Sequence, residues 1–438
     1  MTEQPTQRTS RPHFGGLVAR LTSVNLLNTL FAVVTSPIIA RTLGPSGRGE
    51  LAAIFAIVGV APWISEIGLT AFLGRESARR VHPVGNLLGS TVPIAIATAL
   101  IAVAVAVPVA HLMGRGRPVV VAFIEIGLFM LPVNAVIQLF AGIAGGEQRW
   151  NLIMSAKILS SAGIAVAVVA LRLLDALTVD SVAIAYVAIG TLSNAPLLAV
   201  LRGTRPWHFE ASLATEGVAF GVRSWLSTVA GVGNSYLDQV LMAGLVASRQ
   251  LGFYALAVSI AGASTALVAA TAGAIAPRVA AGEPDLTARA CRVTLLFVLA
   301  SGTCIAVSSP FVLPFVWGHA FAPAVPMLVI LLAASVFGVA TLVIGAGLVA
   351  AGNPSATARA QIVALAITVP ALIVVLPFAG GIGAAWVSLV AYAASFIITL
   401  NAASRQFALP RVMFLVPTRG DLRWLRDRAR RKTAYRTS

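Results

Sequence analysis

VTLLFVLASGTCIAVSSPFVLPFVWGHAFAPAVPMLVILLAASVFGVATLVIGAGLVAAGNPSATA, from Val293 to Ala358, is a run of 66 residues without one Asp, Glu, Lys or Arg, and a second run of 45 follows between Arg359 and Arg405. Each is long enough for two passages of about 20 residues through a hydrocarbon layer roughly 30 Å thick. A chain of 438 residues with 11% charged residues and a mean hydropathy of +0.90 would expose large apolar patches in water. Most of these side chains therefore face hydrocarbon.

Breaks at charge clusters and at Gly/Pro turns divide the chain into twelve expected helices, at 22–41, 50–72, 87–110, 118–142, 151–172, 181–201, 222–247, 251–275, 292–316, 323–350, 358–379 and 381–403. The spans are rich in Ala, Val, Leu and Ile and too continuous for the alternating strands of a membrane β-barrel. The fold class is an all-α polytopic membrane protein. The formal net charge of +16 first suggests nucleic acid, but its placement follows the membrane. With the N-terminus inside, 25 of the 31 Lys and Arg residues fall on cytoplasmic segments; the others are Arg41, Arg48, Arg115, Arg117, Arg172 and Arg249. This bias orients a multi-pass protein of the inner (plasma) membrane with both termini cytoplasmic, and nucleic acid is not an expected partner. The tail from Arg419 to Arg436 interleaves Leu422, Trp424 and Leu425 with arginines, which suits an anionic leaflet and makes membrane lipids expected partners. The polar first twenty residues lack the short apolar stretch of a cleaved signal, so the first helix is expected to be retained.

An internal repeat organises the spans. Ala40-Arg41-Thr42-Leu43-Gly44-Pro45 closes helix 1 and opens helix 2, and Ser248-Arg249-Gln250-Leu251-Gly252 does the same for helices 7 and 8, a shift of 208 residues. Gly145-Gly146-Glu147 after helix 4 and Ala351-Gly352-Asn353 after helix 10 lie 206 apart. Six helices return the chain to its starting side, so the halves are parallel repeats about an axis along the membrane normal. The expected plan is an N-terminal tail at 1–20, a first lobe at 21–201, an inter-lobe linker at 202–221, a second lobe at 222–403 and a basic tail at 404–438.

Several motifs resemble those of a known family: ARTLGPSGRGELA at 40–52, Glu66-Ile67-Gly68-Leu69, Gly146-Glu147-Gln148-Arg149, Leu251-Gly252-Phe253-Tyr254-Ala255-Leu256-Ala257, Trp317-Gly318-His319-Ala320-Phe321, and Gly380-Gly381-Ile382-Gly383. They are similar to the Wzx-type polysaccharide flippases of the multidrug/oligosaccharidyl-lipid/polysaccharide (MOP) exporter superfamily, over nearly the whole chain. The resemblance implies a two-lobed, V-shaped transporter that flips a polyprenyl-diphosphate-linked oligosaccharide from the inner to the outer leaflet by alternating access, for cell-surface polysaccharide synthesis. It implies a lipid-linked oligosaccharide and polysaccharide assembly proteins as partners, and no cofactor beyond a coupling proton or sodium ion.

Such a substrate asks for cations to meet its diphosphate, and charges at bilayer depth are costly enough to be functional candidates. Lys157 in helix 5 and Arg223 at the start of helix 7, with Arg20 near the inner mouth, are the expected cationic lining. The competing reading has Arg20 and Arg223 snorkelling to the interface and Lys157 paired with Glu66. Asn25, sharing a face of helix 1 with Asn28, is expected to meet the sugars. Asp238, one turn beyond Asn234 in helix 7, is the expected ion-coupling acid, with Glu66 as the first lobe's counterpart. A buried carboxylate can exchange a proton or, with amide oxygens, ligate sodium. The resemblance extends to a related lipid flippase family that uses a helix-7 acid for sodium, but that family's further acidic partner on helix 11 has no counterpart here.

No nucleophile and base stand together, no Cys/His metal spacing occurs and GxxxxGK[ST] is absent, so hydrolysis and ATP drive are not expected of this chain, nor is an enzyme. The rivals are a cation-coupled multidrug exporter of the same superfamily, for which Glu66 speaks, a lipid II flippase, and an integral glycan ligase or polymerase. The last would be expected to place its chemistry in a large outer loop, and the outer segments are short turns.

Overall fold

The computed structural model describes residues 14–113, 117–202, 204, 207–263 and 285–416, and among them the regular structure is entirely helical. α1 (Phe14–Ser65) holds two passes joined at Gly44, whose φ of +66° costs glycine little and other residues more. Pro45, having no N–H to leave unpaired, opens the second pass. That pass does not run on through Glu66, as expected for a helix over 50–72. Ile67 (φ +42°) and Gly68 (φ +68°) are left-handed, a conformation that ends a right-handed helix, and α2 (Leu69–Arg79) continues after the turn.

The third pass is α3 (Val84–Met113). The fourth is α4 (Pro118–Phe129) with α5 (Leu131–Gly146), bent by 44° where Pro132 lacks the N–H that would bond one turn back. α6 (Trp150–Leu173) is the fifth, and α7 (Val179–Leu192) with the 3-10 turn Ala195–Leu201 is the sixth. α8 (Ala211–Leu245), α9 (248–263), α10 (Asp285–Trp317) and α11 (Val325–Ala350) follow, and α12 (Pro354–Gln406) supplies two passes across Gly380, φ +52°. The described helices thus follow eleven of the twelve expected passes and the first half of the eighth; the rest of that helix and the basic tail beyond residue 416 lie outside the described residues. The short α13 (Val412–Leu415) folds back on α10, where Arg292 donates to the Met413 carbonyl and Phe414 is fully buried.

One boundary moves. The helix expected from 222 begins at Ala211, so the second half of the expected linker is helix. Its polar residues hid it from a search for apolar runs, because it packs on protein rather than lipid. Gly217 faces Phe72 and Leu69 of α2, and Gly221 sits against the Ile67 carbonyl.

The repeat is visible in the backbone itself. After α5, Glu147, Gln148 and Arg149 donate to Ile143, Gly145 and Ala144; after α11, Ala351, Gly352 and Asn353 donate to Gly347, Val349 and Leu348. The two turns are left-handed at Gln148 and Gly352, 204 residues apart, and those at Asp175 and Gly380 lie 205 apart. Gly49 and Gly252, 203 apart, meet reciprocally: a Cβ on Gly49 would lie 1.7 Å from the Ser248 carbonyl oxygen, and one on Gly252 would lie 1.9 Å from that of Pro45. These shifts replace the 208 and 206 of the loop motifs, because helix ends rather than similar letters set the register.

We term the end of the bundle holding Phe14 and Gln406 proximal and the opposite end distal. One buried core runs through the first lobe and across the distal half of the second, from Ile39, Leu51 and Phe72 to Tyr254, Phe321 and Leu376. A separate core fills the proximal half of the second lobe, around Cys291, Val298, Ile344, Phe396 and Phe414. The lobes therefore share a core distally. Proximally, α8 is the element that packs on α2 and α3.

Candidate functional site

Within the second lobe, α8, α9, α11 and both passes of α12 surround a cavity of about 230 Å³. Asp238 stands on its wall, 8% exposed, with Ser335 and Thr341 from α11 and Gln361, Ser388 and Tyr392 from α12. The Tyr254 hydroxyl of α9 donates to Asp238 Oδ2, and the Gln239 N–H donates to Oδ1 at 2.7 Å. Tyr254 Oη also lies 3.2 Å from Ser388 Oγ, so one phenol joins α8, α9 and α12.

The cavity is rich in oxygen lone pairs. Ser335 and Thr341 donate their protons to the Leu332 and Phe337 carbonyls of their own helix, at 2.7 and 2.9 Å, which leaves their oxygens free to accept. Ser395 adds a buried hydroxyl with no partner among the described residues. One carboxylate among neutral oxygens suits a proton or a monovalent cation. Among the described residues no three His, Cys, Asp or Glu side chains form a metal-holding group.

The other expected site residues lie elsewhere. Glu66 sits in the turn between α1 and α2, in the other lobe from Asp238. Lys157 is exposed on α6 and forms no ion pair among the described residues, so the alternative Lys157–Glu66 pair is not made. Arg20 and Asn25 are exposed on the first pass of α1, near its proximal end. Arg223 and Asn234 lie on α8, and their side chains fall outside the described residues.

Sequence reasoning missed the groups that hold α8 in place. Arg75 on α2 bonds Glu76 at 2.7 Å and Glu216 at 2.6 Å, and its guanidinium lies 4.3 Å from the Phe220 ring centroid. The Glu210 N–H donates to Ser90 Oγ at 3.0 Å, Asn86 donates to the Glu210 carboxylate, and Trp225 Nε1 donates to the Trp63 carbonyl at 3.0 Å. Tyr254 stood out only as part of a family motif. Nothing in the spacing of one helix shows a partner on the next.

The polysaccharide biosynthesis protein family matches residues 18–282, more than half of the chain. The chain belongs to this family. Among curated proteins, none matches it. Of solved structures, the polysaccharide biosynthesis protein is similar to the lipid II flippase MurJ in an inward closed conformation, with TM-score 0.72 and 12% identity over 89% of each chain. It is also similar to an inward-facing multidrug resistance MATE family transporter of the MOP superfamily, with TM-score 0.66 and 14% identity over 90% of this chain and 98% of that one. A third is a MOP superfamily transporter from Pyrococcus furiosus whose binding pocket has reversed polarity, with TM-score 0.59 and 13% identity over 93% of this chain and 99% of that one. At these identities the likeness shows the fold, and the fold of this family member is that of the MOP transporters.

Proposed function

We propose that the protein is a Wzx-type flippase that carries a polyprenyl-diphosphate-linked oligosaccharide across the plasma membrane by alternating access between its two lobes. The observation that carries this reading is the unequal joining of the lobes within a MOP fold. A shared core seals the distal end, and the proximal half of the second lobe keeps a core of its own. On this reading the proximal end is cytoplasmic, and Arg20, Asn25 and Lys157, all exposed, would meet the diphosphate and its first sugars there. Arg223 on α8 completes the proposed lining. The apolar anchor stays in the bilayer, so no hydrocarbon has to cross water.

Asp238 and the oxygen-lined cavity behind it are the proposed coupling site for a proton or sodium ion, with Asn234 one turn away. Glu66, in the turn between α1 and α2, is the proposed counterpart of that acid in the first lobe. Assembly proteins that lengthen or attach the glycan on the far side would take the product.

The test is reconstitution in vesicles with a fluorescent polyprenyl-diphosphate oligosaccharide in the outer leaflet, followed by its protection from a membrane-impermeant quencher. Protein-dependent protection that a lipophilic cationic drug does not compete supports the flippase. Drug uptake without glycolipid movement would assign the protein to the multidrug exporters instead.

A further inference from the structure

At the proximal end of the second lobe, the start of α12 and its last turn enclose a second cavity of about 430 Å³. Its rim carries Asn353, Arg359, Asn401, Arg405 and Gln406, and Ile398 and Ala402 lie deeper along the same helix. Asn353 Nδ2 donates to Gln406 Oε1 at 3.1 Å, which ties the two walls together. Arg359 and Arg405 are both exposed, and neither has a carboxylate within 4.0 Å among the described residues. Arg359 spends only its Nε, on the Ser355 carbonyl at 3.3 Å, so its terminal nitrogens remain for a ligand.

The repeat shows that these charges are not a shared structural feature. At the shift of 204 set by Gln148 and Gly352, Asn353 corresponds to Arg149 and Arg359 to Ser155, and at the 205 of Asp175 and Gly380 Arg405 corresponds to Val200. In the first lobe Arg149 is satisfied at once, by Glu147 at 3.4 Å and the Ala199 carbonyl at 3.1 Å. The second lobe has Ala351 where Glu147 stands, and its Arg359 and Arg405 have no carboxylate within 4.0 Å among the described residues.

We propose that this cavity binds the phosphate group of an anionic phospholipid from the proximal leaflet. Guanidinium groups match phosphate oxygens in geometry and charge, and Asn401 adds an amide beside them. The apolar floor of Ile398 and Ala402 fits the first carbons of the acyl chains, which a free phosphate would leave unused. Two adjacent cations disfavour a headgroup that carries its own ammonium, so phosphatidylglycerol is preferred over phosphatidylcholine.

The full-length protein in detergent is titrated with phosphatidylglycerol, phosphatidylcholine or inorganic phosphate, and the most persistent adduct is followed by native mass spectrometry. Arg359→Gln with Arg405→Gln is expected to weaken that phosphatidylglycerol adduct by roughly ten- to thirtyfold, the worth of two basic side chains at an anionic surface. Phosphatidylcholine binding stays unchanged, and the tail arginines, present in both proteins, set a common background. Equal adducts in wild type and variant would overturn the site, and displacement of the lipid by excess inorganic phosphate would overturn its lipid source. If the double variant elutes as an aggregate, Asn401→Asp places a repelling carboxylate in the half-exposed wall instead. The same loss is then expected, and unchanged affinity there would equally dismiss the proposal.

Discussion

Asp238 is the proposed coupling residue, because its carboxylate meets an oxygen-lined cavity inside the second lobe. Asp238→Asn keeps the size and the Tyr254 contact but removes the charge. Gradient-driven glycolipid movement is expected to fall at least about tenfold, with exchange in the absence of a gradient retained. Tyr254→Phe leaves the carboxylate in place and should keep its gradient dependence; loss of that dependence in the Tyr254→Phe variant alone would move the coupling role to the phenol. Lys157 tests the other lobe. A charge-assisted phosphate contact contributes about 1.5–3 kcal/mol, so Lys157→Ala should lower flipping by about tenfold or more at unchanged protein level, and Lys157→Arg should restore it. Both residues were legible in the sequence, since a lone charge in an apolar span announces itself. Tyr254 and Ser388 were not: their importance comes from one hydrogen-bonded chain that reaches Asp238 from two other helices, and neither type is unusual in a membrane helix.

At the level of elements, the spans were readable because hydrocarbon imposes one composition on all of them. What escaped was every place where helix meets protein instead of lipid. The Glu66–Gly68 break is encoded by a single glycine after an isoleucine, a weak signal inside an apolar run. The first turns of α8 read as linker because Glu210, Glu216, Gly217 and Gly221 are wrong for lipid; they are right for a face pressed on α2 and α3. The glycines make that argument measurable. A Cβ on Gly221 would lie 2.2 Å from the backbone oxygen of Ile67, which cannot move aside, whereas one on Gly217 would lie 3.2 Å from the Phe72 ring, which can. Gly221→Ala is therefore expected to cost about 1–3 kcal/mol and to lower the thermal midpoint clearly, with Gly217→Ala costing less than about 1 kcal/mol. Equal midpoints for the two variants would mean that α8 does not rest on this contact.

For the molecule as a whole, the two-lobe plan was predictable from an even span count and repeated turns, but which end is shut was not, since closure depends on contacts between halves. Those contacts include, beside the shared core and the Gly49–Gly252 approach, two arginine staples at the distal end. Arg41, ending the first pass of α1, donates through Nε to the Val316 carbonyl at 2.9 Å and through Nη2 to Phe315, at the C-terminus of α10. Arg117, before α4, donates to the Ala243 and Val246 carbonyls at 3.2 and 2.9 Å, at the C-terminus of α8. In the repeat the first pass corresponds to α8 and the turn before α4 to the end of α10, so both staples join the same pair of elements about the pseudo-two-fold axis, with the arginine on opposite members of the pair. Each uses a cation on the orphan carbonyls of a helix end, with no acid involved, so the latch cannot be released by protonating a carboxylate. On the proposed function, ligand binding at the proximal end would supply the pull that parts the lobes. At about 1 kcal/mol for each staple, Arg41→Gln with Arg117→Gln should shift the balance toward a distally open form by roughly twenty- to thirtyfold. Spin labels at the exposed Ser46 and Ala322 would report this as a growing long-distance population in the double variant without substrate. A distribution identical to that of the parent would show that the shared core and the Gly49–Gly252 contact hold the distal end closed by themselves.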